Sequence, residues 1–106
     1  MKKLHLAIST DDIAATVQDY SHRLLAQPCV VVDGEYALWR TETLNISVCK
    51  DVSIQKGTVR HLGWEESTAT EFTAEVDTNG ITWEHFTAGQ QAEEINELWP
   101  SANYHP

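Results

Sequence analysis

Cysteine is scarce in this chain. Cys29 and Cys49 are the only two in 106 residues, too few for the disulfide framework that staples small secreted domains. Basic side chains are also few: seven Lys and Arg stand against sixteen Asp and Glu, a formal net charge of −9. The one basic pair, Lys2-Lys3, is too short to track a phosphate backbone, so nucleic acid is excluded as an expected partner. No apolar run approaches the ~20 residues of a membrane span, and Asp11-Asp12 interrupts the N-terminal apolar stretch before it resembles a secretion signal. What remains is ordinary for a folded protein: 42% hydrophobic and 22% charged residues in a length that fits one domain. Folding such a chain removes roughly 65% of its accessible surface, enough for one modest core. The expectation is a soluble, cytoplasmic, single-domain protein.

Residues 3–9 alternate with period two. Leu4, Leu6 and Ile8 share one face and His5, Ala7 and Ser9 the other, the pattern of a half-buried strand. Ser9-Thr10-Asp11-Asp12 supplies a helix start with a hydroxyl cap and carboxylates beside it, Ile13, Val17, Tyr20 and Leu24 an amphipathic stripe, and Pro28 a stop. Short strands are expected over 29–32, 35–41 and 44–50, with Asp33-Gly34 turning the first hairpin. In the last of these, Asn45, Ser47 and Cys49 lie opposite Leu44, Ile46 and Val48. Residues 51–58 read as a loop and an internal seam.

Beyond the seam a strand is expected over 59–65 and a helix over Ser67–Asp77, carried by Ala69, Phe72 and Val76 and stopped at Asn79-Gly80. Another strand follows over 81–86. Thr87 and Gln90 then form a capping box for a last helix with Ala88, Ala92, Ile95 and Trp99 on one face. The tail 101–106 is expected to be loosely ordered. The order is β-α-β-β-β, a loop, then β-α-β-α, an α+β fold.

The segment Leu4-His5-Leu6-Ala7-Ile8-Ser9-Thr10-Asp11-Asp12 before a helix containing Tyr20, and the second segment Val59-Arg60-His61-Leu62-Gly63-Trp64, resemble the vicinal-oxygen-chelate superfamily. Its members include glyoxalase I, bleomycin-resistance proteins and extradiol dioxygenases. The resemblance spans roughly residues 3–86 and rests as much on element order as on the short motifs. It implies βαβββ modules whose curved sheets form a cup with helices outside. Here residues 1–51 would be the first module, and 58–106 a shortened βαβ module with a C-terminal helix. In metal-using members the cup holds one divalent ion on His, Glu or Gln side chains. By that likeness His5 and His61 fall at ligand positions, Asn45 stands where a carboxylate is expected, and Glu84 is a candidate for the last ligand. The implied cofactor is either none or one zinc, nickel, manganese or iron ion.

Parity separately aims His5 at the cup, because Leu4, Leu6 and Ile8 need a helix-packed face. Two imidazoles and a carboxylate make a facial triad; hydrogen-bonded structural histidines are the alternative. Glu84 and His85 are adjacent in a strand and must point to opposite faces. Trp39 has the opposite parity from Leu38, so if Leu38 meets the helix layer, Trp39 lines the cup and can stack on a flat ligand. Core packing is the default for Trp64, Trp83 and Trp99, under the last helix or at a subunit contact, with Trp83 also a candidate for the cup. Cys49 reads as an inert cup-facing thiol, Cys29 as core, and His22 and His105 as surface residues. A short second module leaves an exposed sheet edge; the last helix is expected to cover that edge or the mouth of the cup, or two copies to pair and complete each other's sheets as a homodimer.

Three functions stay open. The first is a protein of the glyoxalase and bleomycin-resistance type that binds a small organic ligand in resistance or stress, through His5, Trp39, Asn45 and His61. The second is a metal-dependent lyase, isomerase or dioxygenase using His5, His61 and Glu84. The third is an interaction module whose cup is filled by its own side chains.

Overall fold

The alternating N-terminal segment becomes the middle of the molecule. In the computed structural model, which describes residues 2–106, strand β1 (Lys2–Thr10) leads into helix α1 (Ile13–Leu24) and then strands β2 (Val30–Val32), β3 (Tyr36–Arg40) and β4 (Leu44–Lys50). After the loop come β5 (Val59–Glu66), β6 (Thr73–Val76), β7 (Thr82–Phe86) and helix α2 (Ala88–Leu98), with a single 3₁₀ turn at Pro100–Ala102. All seven strands form one mixed sheet in the order β2-β3-β4-β1-β5-β7-β6, an α+β fold. No helix among the described residues is long and apolar enough to cross a membrane.

The two halves of the sheet echo each other. Outward from β1 come β4, parallel to it, then β3 and β2, each antiparallel to its neighbour. Outward from β5 come β7, parallel to it, then β6, antiparallel. The halves meet where β1 and β5 run antiparallel.

Local signals explain the elements. The Asp12 side chain accepts the Ala15 amide as N-cap of α1, and Leu25 ends that helix in the left-handed region at φ 52°. The capping box of α2 is complete, with Thr87 accepting from the Gln90 amide and Gln90 accepting from the Thr87 amide. Helix α1 packs Ile13, Val17, Tyr20 and Leu24 on Ala37, Trp39 and Val48. Helix α2 packs Ala92 and Ile95 on Val30, Tyr36 and Leu38, on the opposite face of the sheet. The helices therefore do not both lie outside a cup: α2 occupies the face that carries His5.

The expected helix over Ser67–Asp77 is not formed. Ser67, Thr68, Thr70 and Thr73 are poor helix residues, because their side chains lose χ1 freedom or compete for backbone groups. Residues 73–76 instead form β6 and pair with β7 across a turn in which Asp77 Oδ1 accepts the Asn79 and Ile81 amides and Gly80 takes φ +79°. Asn-Gly here is a hairpin signal rather than a helix stop. The second half is consequently β-β-β, and no helix covers its sheet on the α1 side.

That absence changes burial along β1. The expected parity holds, yet His5, Ala7 and Ser9 form the buried side, while Leu4 is 39% exposed because α1 sits over β3 and β4. Trp64 and Trp83 lie on the same uncovered face with ring centroids 6.5 Å apart, and Lys2 Nζ sits 4.9 Å from the Trp64 ring centre. They do not pack under the last helix. Trp99 does, stacking on Tyr36 at 4.7 Å.

Three smaller expectations also change. The tail is tied down: Tyr104 is buried, its amide donates to Asn96 Oδ1 at 2.8 Å, and its carbonyl accepts from Asn96 Nδ2 at 2.9 Å. Cys29 is exposed rather than core, because it stands just before the edge strand β2. Helix α2 does not cover the β6 edge, whose four residues are all exposed; of the two expected places it takes the other, lining a cavity with Gln91, Glu94, Ile95 and Leu98.

Candidate metal centre

Three strands deliver three ligating side chains to one point. His5 enters from β1, His61 from β5 and Glu84 from β7, neighbours in the sheet order. Their ligating atoms all lie within 4.8 Å of one another, and among the described residues this is the one such His, Cys, Asp and Glu group. His61 Nε2 is 2.9 Å from His5 Nε2 and 3.0 Å from Glu84 Oε1. Two imidazoles and a carboxylate, each offering one atom to a common centre, can hold a divalent ion. His5 is 2% exposed, with the edge of Phe86 5.0 Å from its ring. Burial pushes the His5 pKa below its ordinary value of 6.5, which keeps the imidazole neutral, as ligation requires.

Glu84 of β7 stands opposite Gly63 of β5, and the two backbones approach closely there. A Cβ built on Gly63 would collide with the Glu84 carbonyl oxygen, a backbone contact that no side-chain rotation relieves. Gly63→Ala must therefore push β7 away. It is expected to cost about 1–3 kcal/mol of stability by overpacking and to weaken any ion binding through displacement of Glu84. Urea unfolding of the variant beside the parent protein checks the first, and a metal titration the second.

The trio forms the floor of a cavity of about 350 Å³. Two aromatic pairs line it, Phe72 stacked on Phe86 at 5.4 Å and Tyr36 on Trp99 at 4.7 Å, together with the charged side chains of Arg60 and Glu94. Cys49 also lines the cavity, and burial pushes its thiol above the usual range, which disfavours the reactive thiolate.

Two other expected ligand contacts lie elsewhere. Trp39 is 1% exposed and packs beneath α1, with Nε1 donating to Ser21 Oγ at 3.3 Å and the Tyr20 ring 5.7 Å away. Its assignment to the cup assumed a helix on the Leu38 side alone. Both faces carry a helix, and Leu38 meets α2. Asn45 is on the His5 face but 0% exposed, beneath the cavity rather than in its wall. Its Oδ1 lies 2.9 Å from His5 Nδ1 and 3.0 Å from Gln91 Nε2, while its Nδ2 donates to Glu65 Oε1 and Gln91 Oε1 at 2.9 and 2.8 Å. Strand parity for Glu84 and His85 holds. His85 turns to the other face and pairs with Glu66 at 2.6 Å.

Gly63, Glu65, Gln91 and Phe72 escaped the sequence reading. Gly63 and Glu65 share the parity of His61, so the alternation of β5 carried a signal for both. Gln91 falls on the Ala88, Ala92 and Ile95 face of α2, so the helical period carried a signal for it as well, whereas Phe72, placed by a loop, had none.

No protein-family model and no curated protein matches the chain. Among solved structures, one described as the crystal structure of NAD-dependent benzaldehyde dehydrogenase from Legionella pneumophila is similar, with a TM-score of 0.55 and 12% sequence identity. The match covers 79% of this chain and 97% of that one. At that identity the likeness is one of fold alone.

Proposed function

We propose that this chain is a divalent-metal protein of the glyoxalase and bleomycin-resistance type, which binds a small organic molecule through adjacent oxygens above His5, His61 and Glu84. The observation that carries the proposal is the convergence of two imidazole nitrogens and one carboxylate oxygen within 4.8 Å at the floor of a cavity. Further support comes from the repeated sheet order of the two halves. In each, a central strand pairs in parallel with the last strand of its half, as βαβββ modules require, although the second half lacks the helix and one strand.

The donor set suits zinc, nickel, manganese or ferrous iron. Such an ion would act as a Lewis acid, polarising a ligand oxygen. The chain's own contribution is to hold three ligating groups on adjacent rigid strands and to leave the cavity side of the trio open. The Phe72–Phe86 and Tyr36–Trp99 pairs grip the apolar body of the ligand, and its oxygens turn toward the floor. A volume of about 350 Å³ falls within the range of small-molecule sites, which disfavours an interaction module with a filled cup. The net charge of −9 disfavours strongly anionic ligands.

Cobalt(II) titration followed by visible absorption tests the proposal. Saturable absorption at about one ion per chain is expected, shifting when catechol or acetohydroxamate is added as a two-oxygen probe. The signal should vanish in His61→Ala and Glu84→Gln. Absence of cobalt absorption in the parent protein would overturn the metal reading, and absorption indifferent to both probes would overturn the ligand class.

The homodimer belongs to the same proposal. A second copy would pair with the exposed β6 edge or cover the Leu4, Trp64 and Trp83 face. Sedimentation should show a dimer, and a monomer throughout the micromolar range would contradict it.

A further inference from the structure

We infer that Asn45 is a positioning residue: held by Glu65 and Arg40, it fixes the proton of His5 on Nδ1 and so presents a bare Nε2 to the centre. The metal consequence rests on the proposed function, but the proton's location does not.

The argument runs inward from the charged end. Arg40 on β3 grips the Glu65 carboxylate in a two-pronged pair, Nε to Oε1 at 2.7 Å and Nη2 to Oε2 at 3.0 Å. Glu65 is 7% exposed. Burial alone would raise its pKa, but the bonds from Arg40 and Asn45 outweigh this and hold it below the usual carboxylate range. An ionised carboxylate only accepts hydrogen bonds. The Asn45 atom 2.9 Å from Glu65 Oε1 must therefore be the amide nitrogen, and the amide oxygen must face His5.

The next step is equally constrained. His5 Nδ1 has two neighbours on Asn45, the side-chain oxygen at 2.9 Å and the backbone oxygen at 3.2 Å. Both accept, so Nδ1 must carry the hydrogen. In a neutral ring that leaves Nε2 with its lone pair, and Nε2 is the nitrogen that faces His61. An imidazole without such a partner distributes its proton over both nitrogens. Gln91 of α2 closes the arrangement. Its amide lies against the Asn45 amide in a reciprocal pair at 2.8 and 3.0 Å, so all four hydrogen-bonding positions of Asn45 are used. Among the described residues no buried side-chain polar atom lacks a partner, and a flipped Asn45 would end that by setting its oxygen against Glu65 Oε1 and Gln91 Oε1.

The chain Arg40–Glu65–Asn45–His5 also accounts for an amide at position 45. A carboxylate there would set oxygen against the Glu65 oxygen, two like charges in a buried space. It would also leave Gln91 Oε1 without its donor. Only a group that donates on one side and accepts on the other satisfies Glu65 and His5 together.

Long-range ¹H–¹⁵N NMR of the histidine rings in the metal-free protein at pH 8 tests this directly. His5 is expected to show a pyrrole-type Nδ1 and a pyridine-type Nε2, whereas exposed His22 and His105 show averaged signals. Glu65→Gln, which keeps the shape but removes the charge that orients Asn45, should shift His5 toward a mixture of tautomers, with the residue 45 carbonyl at 3.2 Å still holding part of the proton on Nδ1. It should also lower cobalt affinity by about 10–100-fold, the usual effect of losing a group that orients a ligand. Asn45→Ala is the harsher variant and should do the same if it folds. An Nε2-protonated His5 in the parent protein would overturn the inference whether or not the variants fold, as would an unchanged tautomer in Glu65→Gln. The expected tautomers together with no cobalt binding would support the inference and remove the metal proposal.

Discussion

Replacing Trp39 by alanine is expected to destabilise the protein by about 3–5 kcal/mol, a large share of the about 5–15 kcal/mol that holds a typical domain. The indole is 1% exposed and fills the space between α1 and the sheet, against Tyr20, Ala37 and Val48. Its removal leaves a cavity that a helix anchored at both ends cannot collapse into, and it strips Ser21 Oγ of its donor. Trp39→Phe keeps most of the volume and should cost much less. Urea unfolding measures both. A ligand-contacting tryptophan would behave in the opposite way, losing ligand affinity with little loss of stability. A stable Trp39→Ala protein would mean that α1 does not depend on this residue.

The second large effect comes from loading the centre. An ion that binds only the folded state stabilises by about 2.7 kcal/mol when its free concentration is a hundred times Kd. At roughly 4–8 °C per kcal/mol for a chain of this size, that raises Tm by about 10–20 °C. The gain should depend on pH. In the metal-free protein, burial lowers the pKa of His5 from its ordinary 6.5, so the unfolded chain binds that proton more readily than the folded one. The stabilisation from keeping His5 neutral is then fully present above pH 6.5 and is lost as pH falls below it through the folded value. Protons also displace a metal from imidazole. Thermal melts at pH 8, 7, 6 and 5, with and without zinc, should show a large gain at pH 8 that shrinks toward pH 5. An equal gain at every pH would mean that zinc binds elsewhere, on surface carboxylates.

Period-two alternation was the most legible signal in the sequence. It placed His5 opposite Leu4 and Leu6, and it separated Glu84 from His85. It also put Asn45 and Ser47 on one face, and the structure agrees at each point. Hydrogen-bonding residues at helix starts were equally readable, as the complete Thr87–Gln90 box shows. Parity, however, gives two faces without saying what covers them. With a helix on each face, Trp39 went to α1 and Leu38 to α2, and no local pattern could decide between them. The same limit applies to β1. There the polar-lined face is the buried one, because α2 and the Asn45 network close it. The absence of a helix over 67–77 has another cause. Three apolar residues at helical spacing are compatible with a strand and a loop, and the Asn-Gly turn and the pairing with β7 settled the outcome through contacts distant in sequence. Asn45 carried the least legible role. Its chemistry depends on Glu65, Arg40 and Gln91, three residues from three other elements.

The most direct measurement is elemental mass spectrometry of the protein purified without a histidine tag, as isolated and after incubation with zinc, nickel, manganese and ferrous iron. About one ion per chain is expected, lost in His5→Ala and in His61→Ala while both variants remain folded. No metal above background under any of these conditions would contradict the centre, and the cavity would then hold its ligand without a metal.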